Sequence, residues 1–272
     1  MAALPTTIDG VIERLEFIIK DSIARQDRLG YFAALYNRVT LAVRDGIKAG
    51  QFQDGPRMEK LDVIFANRYL AAYDAYRSGE LPCVSWFKAF NAALSTEHIV
   101  LQHLLVGMNA HINLDLGVAA ARVAGPGGAI NGLQGDFNKI NDVLAKLTPE
   151  VEQQLDEASP MFKELSGIAP KLELKMVGFS MEKARATAWD FARELAPLKK
   201  LSQVQRMARR DLEISVVADA VLNDGLVVRL IRAREKTDVA QNIQILARGQ
   251  FKNTVPALIG APTTPAVPAT PA

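Results

Sequence analysis

The chain has three histidines, His98, His103 and His111, and all of them fall in one short stretch. His111 belongs to the string Gly107-Met108-Asn109-Ala110-His111-Ile112-Asn113-Leu114-Asp115-Leu116. Imidazoles and carboxylates are the side chains that most readily transfer protons near neutral pH or ligate a divalent cation. Here they are threaded, with Asn109 and Asn113, through an apolar run from Ile99 to Ala121. Burying such groups without partners costs several kcal/mol each. They must therefore satisfy one another or bind something.

Polar and apolar residues alternate strictly from Met108 to Leu116, the pattern of a half-buried strand. The flanks are rich in Leu, Ala and Gln and carry no turn signal on the N-terminal side, which fits a helix buried on all sides. At about 100° per residue, His103, Gly107, His111 and Asp115 form one ladder. His98, Gln102, Asn109 and Asn113 fall on another face. Gly107 leaves a gap in the first ladder, for a ligand or for a close helix crossing.

His111 and Asp115 are spaced i, i+4, so both could reach one divalent metal ion. A metal site needs ligands from other helices, and Asp62, at the edge of an apolar helical face, is the best candidate. Asp136 and Asn141 are further ones. Read catalytically, His111 is a ligand or general base and Asp115 a ligand or the group that orients the imidazole. Asn109, Asn113 and His103 complete the candidate site. The competing reading is a structural network, with Asp115 paired to a buried arginine such as Arg68 or Arg122 and the asparagines holding nearby backbone. The Glu-x-x-His pairs of di-iron bundles are missing. So are a Gly-x-Ser-x-Gly elbow, an Asp-Asp-x-x-Asp motif and a phosphate-binding Gly-Lys-Ser/Thr.

The elements that must position these residues are helical nearly throughout. Amphipathic periodicity predicts helices over Val11 to Ile23, Phe32 to Ile47, Pro56 to Tyr76 and around Trp86 to Leu94, then a long helix to about Val123. A glycine-rich loop follows to Gly135. Asp136 reads as the N-cap of the next helix, and Thr148-Pro149-Glu150 as the start of another. Residues 159–180 read as an irregular connection with a short strand possible near Leu172 to Met176. Helices resume over Ser180 to Leu195, Ser202 to Leu222 and Leu226 to Ala247. The expectation is an all-α fold: one multi-helix domain over residues 1–250 around a central buried helix, with a disordered Pro/Ala-rich tail over 251–272.

Composition narrows the function. The chain has 272 residues, 49% of them hydrophobic, and a net charge of +2, so no electrostatic case for nucleic acid arises. One cysteine, Cys83, fits a reducing compartment. No membrane span is expected, because Gln102, His103, Asn109, His111, Asn113 and Asp115 interrupt the longest apolar stretch. No signal peptide is evident at the N-terminus, and a cytoplasmic location is expected.

The string from Gly107 to Leu116, with Leu61-Asp62, Phe65-Ala66, Arg68-Tyr69-Leu70, Trp86, Asp136-Phe137 and Ile140-Asn141, resembles the signature of an uncharacterised, mostly bacterial, all-helical family of unknown function. The likeness runs over roughly residues 10–250. It implies the fold and the site and supplies no reaction. The expected function is a small-molecule enzyme, with a divalent metal ion as the cofactor the site could take. The alternative is a non-catalytic helical protein that binds an apolar ligand or a protein partner, with the polar string purely structural.

Overall fold

The structure, a computed structural model, describes residues 3–125, 130–160 and 181–251. The expected irregular connection, the possible strand near Leu172 and almost all of the 251–272 tail lie outside these. The described residues are helical, with no strand. In chain order the helices are α1 (Ile8–Arg25), α2 (Leu29–Lys48), α3 (Gly55–Arg77), α4 (Val84–Ala92) and α5 (Val100–Ala110). A π-helical segment (His111–Leu116) joins α5 to α6 (Gly117–Ala124), and a 3-10 turn (Ile130–Leu133) leads into α7 (Gln134–Ala158). Then come α8 (Met181–Leu195), α9 (Lys200–Val221), α10 (Leu226–Arg232) and α11 (Val239–Leu246).

The stretch Val100–Ala124 is the axis of the fold. By length and composition alone it could cross a membrane, but 89% of its most apolar window is buried inside the protein. Helices α2, α3, α4, α8 and α9 pack around it. Its apolar residues divide between two cores. One joins α1, α2, the C-terminal part of α3, α4, α5 and α11. The other joins the N-terminal half of α3 with the π segment, α6, the start of α7 and α8.

Several helix starts are capped from a distance. A helix N-terminus presents unpaired N–H groups and partial positive charge, which a carboxylate satisfies. Asp211 on α9 accepts from Val84 N (2.7 Å) and Ser85 N (2.9 Å) at the start of α4. Glu235, after α10, accepts from Val100 N at the start of α5. Asp136 does not cap its own helix, which already begins at Gln134. It is buried and accepts from Gln53 N (2.7 Å) and Asp54 N (3.0 Å), ordering the chain just before α3. Asp54 then caps α3 locally, accepting from Arg57 N.

Two sequence expectations about boundaries are corrected. Thr148-Pro149-Glu150 starts no helix, because α7 runs through Pro149 without a break. Pro149 is exposed, and the buried residues Val143, Gln154 and Leu155 flank it on both sides. The Thr148 hydroxyl donates to the Leu144 carbonyl, occupying one acceptor near the missing proline N–H. The predicted helix from Leu226 to Ala247 is two helices, and Glu235 lies in the break.

Gly107 serves a close approach. A Cβ there would lie 2.7 Å from Cγ of Phe32 and 3.1 Å from its Cβ, so ring rotation cannot clear it. Gly107→Ala is expected to destabilise the protein by about 1–3 kcal/mol, despite the better helix propensity of alanine. Thermal unfolding checks this, and an unchanged or raised melting temperature would show that Phe32 yields freely.

Candidate functional site

Asp115 is fully buried and has three partners. Arg68 Nε donates to its Oδ1 at 2.5 Å, and Trp86 Nε1 donates to its Oδ2 at 2.8 Å. His111 Nδ1 lies 3.4 Å from the same Oδ2. Burial by itself would raise the Asp115 carboxyl. The Arg68 guanidinium, with the His111 and Trp86 hydrogen bonds, outweighs that and holds it below the usual carboxylate range.

Burial lowers the His111 imidazole below its ordinary value, against the opposing pull of Asp115. It is thus neutral at neutral pH. With a carboxylate facing Nδ1, the tautomer that satisfies both groups carries its proton on Nδ1 and leaves a lone pair on Nε2. His111 Nε2 is buried and has no hydrogen-bond partner. Aromatic rings fix the imidazole: Phe65 stacks on it at 3.6 Å between centroids and 10° between planes, and Tyr36 meets it edge-on at 4.4 Å.

His111 opens onto a cavity of about 230 Å³. Leu35, Val39, Leu61, Phe65, Met108, Ile140, Leu144 and Leu155 are among the apolar side chains that line it. Among the described residues the ionisable groups on its wall are Asp62, His111, Tyr36, Glu152 and Arg185. Asp62 is 8% exposed, and its Oδ2 has no partner. Burial, with Glu59 adding to it, pushes the Asp62 carboxyl up to about 7. The Tyr36 hydroxyl is buried beside the Thr40 side chain, whose own hydroxyl donates to the Tyr36 carbonyl. Burial, then Asp62, drives that phenol well above its ordinary value.

The sequence-predicted residues thus separate into three groups. His111 and Asp62 share the cavity, and Asp115 stands behind His111. Asn109 and Asn113 face α9. Asn109 Nδ2 donates to the Ile214 carbonyl (2.9 Å), and Asn113 Nδ2 donates to Asn109 Oδ1 (2.9 Å). Arg210 Nε donates to the Asn113 carbonyl (3.0 Å), a main-chain acceptor inside the π turn. His103 lies apart, beside Tyr31 and His98, on a separate cavity of about 20 Å³ shared with Gly107 and Phe32. The ladder from His103 to His111 is broken because the Phe32 ring fills the notch at Gly107.

Among the described residues no three His, Cys, Asp or Glu side chains gather as a metal-holding group. Both oxygens of Asp115 are engaged by Arg68 and Trp86. Asp136 is engaged at the start of α3, and Asn141 Oδ1 accepts from Arg185 Nε (2.6 Å).

Phe65, Trp86 and Arg185 were not assigned to the site from the sequence. Arg185 had a legible signal, since it shares the buried face of α8 with Ala184, Ala188 and Ala192. Phe65 and Trp86 belong to the family signature, but their residue types are those of an ordinary core, and neither periodicity nor spacing places them around an imidazole.

No curated protein and no solved structure matches this chain. A family model described as a family of unknown function, DUF5995, matches residues 8–224, which cover the π segment and every described lining residue of the cavity, and the chain belongs to that family.

Proposed function

We propose that the protein is an enzyme that carries out proton transfer on an apolar small molecule held in the α3–π–α7 cavity. One observation carries this reading. His111 Nε2 and Asp62 Oδ2, both buried and both unpartnered, line the same apolar cavity. Orphaned buried polar atoms cost stability, and a bound ligand would satisfy them. His111 is the general base, oriented by Asp115 and ready to act because it is neutral. Asp62 retains its proton to near neutrality and is the acid. A π segment at the base fits the frequency of such segments at functional sites.

The strongly apolar wall also favours a second reading, in which the protein binds an apolar molecule and does no chemistry on it.

A nitrobenzisoxazole, whose ring opens when a base removes one carbon-bound proton, separates the two. The wild-type protein is expected to open it with a rate that rises as His111 deprotonates, with a midpoint below the ordinary imidazole value. His111→Gln should lose about 10²-fold or more of that rate. Binding of the probe without ring opening, or equal rates for both proteins, would leave simple binding as the function.

A further inference from the structure

At the α7–α8 side of the cavity stands Arg185, 5% exposed. Its Nε donates to Asn141 Oδ1, one of its Nη2 protons is given to the Phe137 carbonyl, and the guanidinium lies over the Phe137 ring at 4.5 Å. These partners are neutral. Among the described residues two carboxyl residues line the cavity, Asp62 and the exposed Glu152, and neither forms an ion pair with Arg185. Among the described residues the cation is buried without a counter-charge. Such an arrangement is costly, because a buried charge is ordinarily paired. Desolvation lowers the group to about 10, so it remains charged at neutral pH.

An arginine has five N–H donors in a planar fork. With Nε and one Nη2 proton engaged, both Nη1 protons and the second Nη2 proton remain. The outer edge, one proton from each Nη, matches the two oxygens of a carboxylate.

We infer that the molecule bound in this cavity is an apolar body carrying a carboxylate, and that Arg185 holds that carboxylate. The inference rests on the cavity being the ligand site of the proposed function. It adds the class of ligand: an aliphatic or aromatic acid, not a neutral hydrocarbon, an amine or a sugar. The apolar lining takes the body, and the carboxylate supplies the counter-charge that the described residues do not.

Titration calorimetry of the full-length protein with decanoate and with decanol tests this without a variant. The two probes share a chain and differ in the head group. Decanoate is expected to bind at least about tenfold more tightly, the scale of one charge-assisted pair. Arg185→Gln should abolish that preference and keep the affinity for decanol. Arg185→Lys keeps a charge but cannot hold Asn141, the Phe137 carbonyl and a bidentate carboxylate together, so its preference should be intermediate. Equal binding of both probes by the wild-type protein overturns the inference and leaves the cavity as an apolar site. So does a full preference in either variant. Failure of both probes to bind overturns the cavity as a site altogether. The His111→Gln protein should still prefer decanoate, so loss of proton transfer and loss of anion binding are read separately.

Discussion

Asp115→Ala is expected to destabilise the protein by about 3–5 kcal/mol, the range for removing one member of a buried ion pair. The carboxylate is fully buried and engages Arg68, Trp86 and His111 together. Alanine leaves the Trp86 indole N–H buried without an acceptor and Arg68, itself only partly exposed, without its counter-charge. Glu157→Ala is the control. Glu157 pairs with Arg248 at the surface, where such pairs contribute under about 1 kcal/mol. Chemical denaturation of the two variants decides the matter, and equal midpoints would mean that Asp115 is no keystone. The pH dependence has a definite sign. The Asp115 carboxyl is held low in the folded protein, so its contribution is present above its unfolded value, near 4, and is lost as pH falls through the folded value.

Asp62→Asn is expected to act in the opposite direction. The folded Asp62 carboxyl titrates at about 7, against an ordinary value of 3.8. Between those values the unfolded chain has released its proton and the folded protein still holds it. Stability therefore falls as pH rises through this window, and the full cost is reached above pH 7. At about 1.36 kcal/mol per pH unit this cost is up to roughly 4 kcal/mol. Asparagine mimics the neutral acid at every pH. The variant should match the wild-type protein near pH 4 and exceed it in stability at pH 8.

Two other groups tilt the wild-type curve. Glu235, raised by burial to about 7, acts in the same direction as Asp62. His103, lowered by burial to about 3, makes folding less favourable as pH falls below 6.5. The difference between Asp62→Asn and wild-type cancels both. Parallel stability curves from pH 4 to 8 would show that Asp62 finds a partner in solution. Stabilisation at pH 8 by removing a charge would fit a site that gives up stability for function.

The sequence by itself determined the all-helical class, the central buried helix and the residues worth attention in it. Those properties are local. Apolar periodicity over Val100–Ala124 follows from the helical repeat, and the cost of burying His111 and Asp115 follows from their chemistry. Asp62 was legible in the same way, as a carboxylate on the edge of an apolar face.

Tertiary structure alone decided what each polar group meets. Arg68 and Asp115 are 47 residues apart in the chain, and Asn109 and Ile214 are 105 apart. Asp136 had the chemistry of an N-cap, but the N–H groups it satisfies lie 83 and 82 residues away. The ladder of His103, Gly107, His111 and Asp115 assumed a uniform α-helical repeat and an empty notch. The wider π turn changes the register from His111 onward, and Phe32 from α2 fills the space at Gly107. The spacing of residues along one helix sets which side chains share a face. Only the packing of other helices against that face sets whether they meet a cavity, a neighbouring ring or a backbone carbonyl.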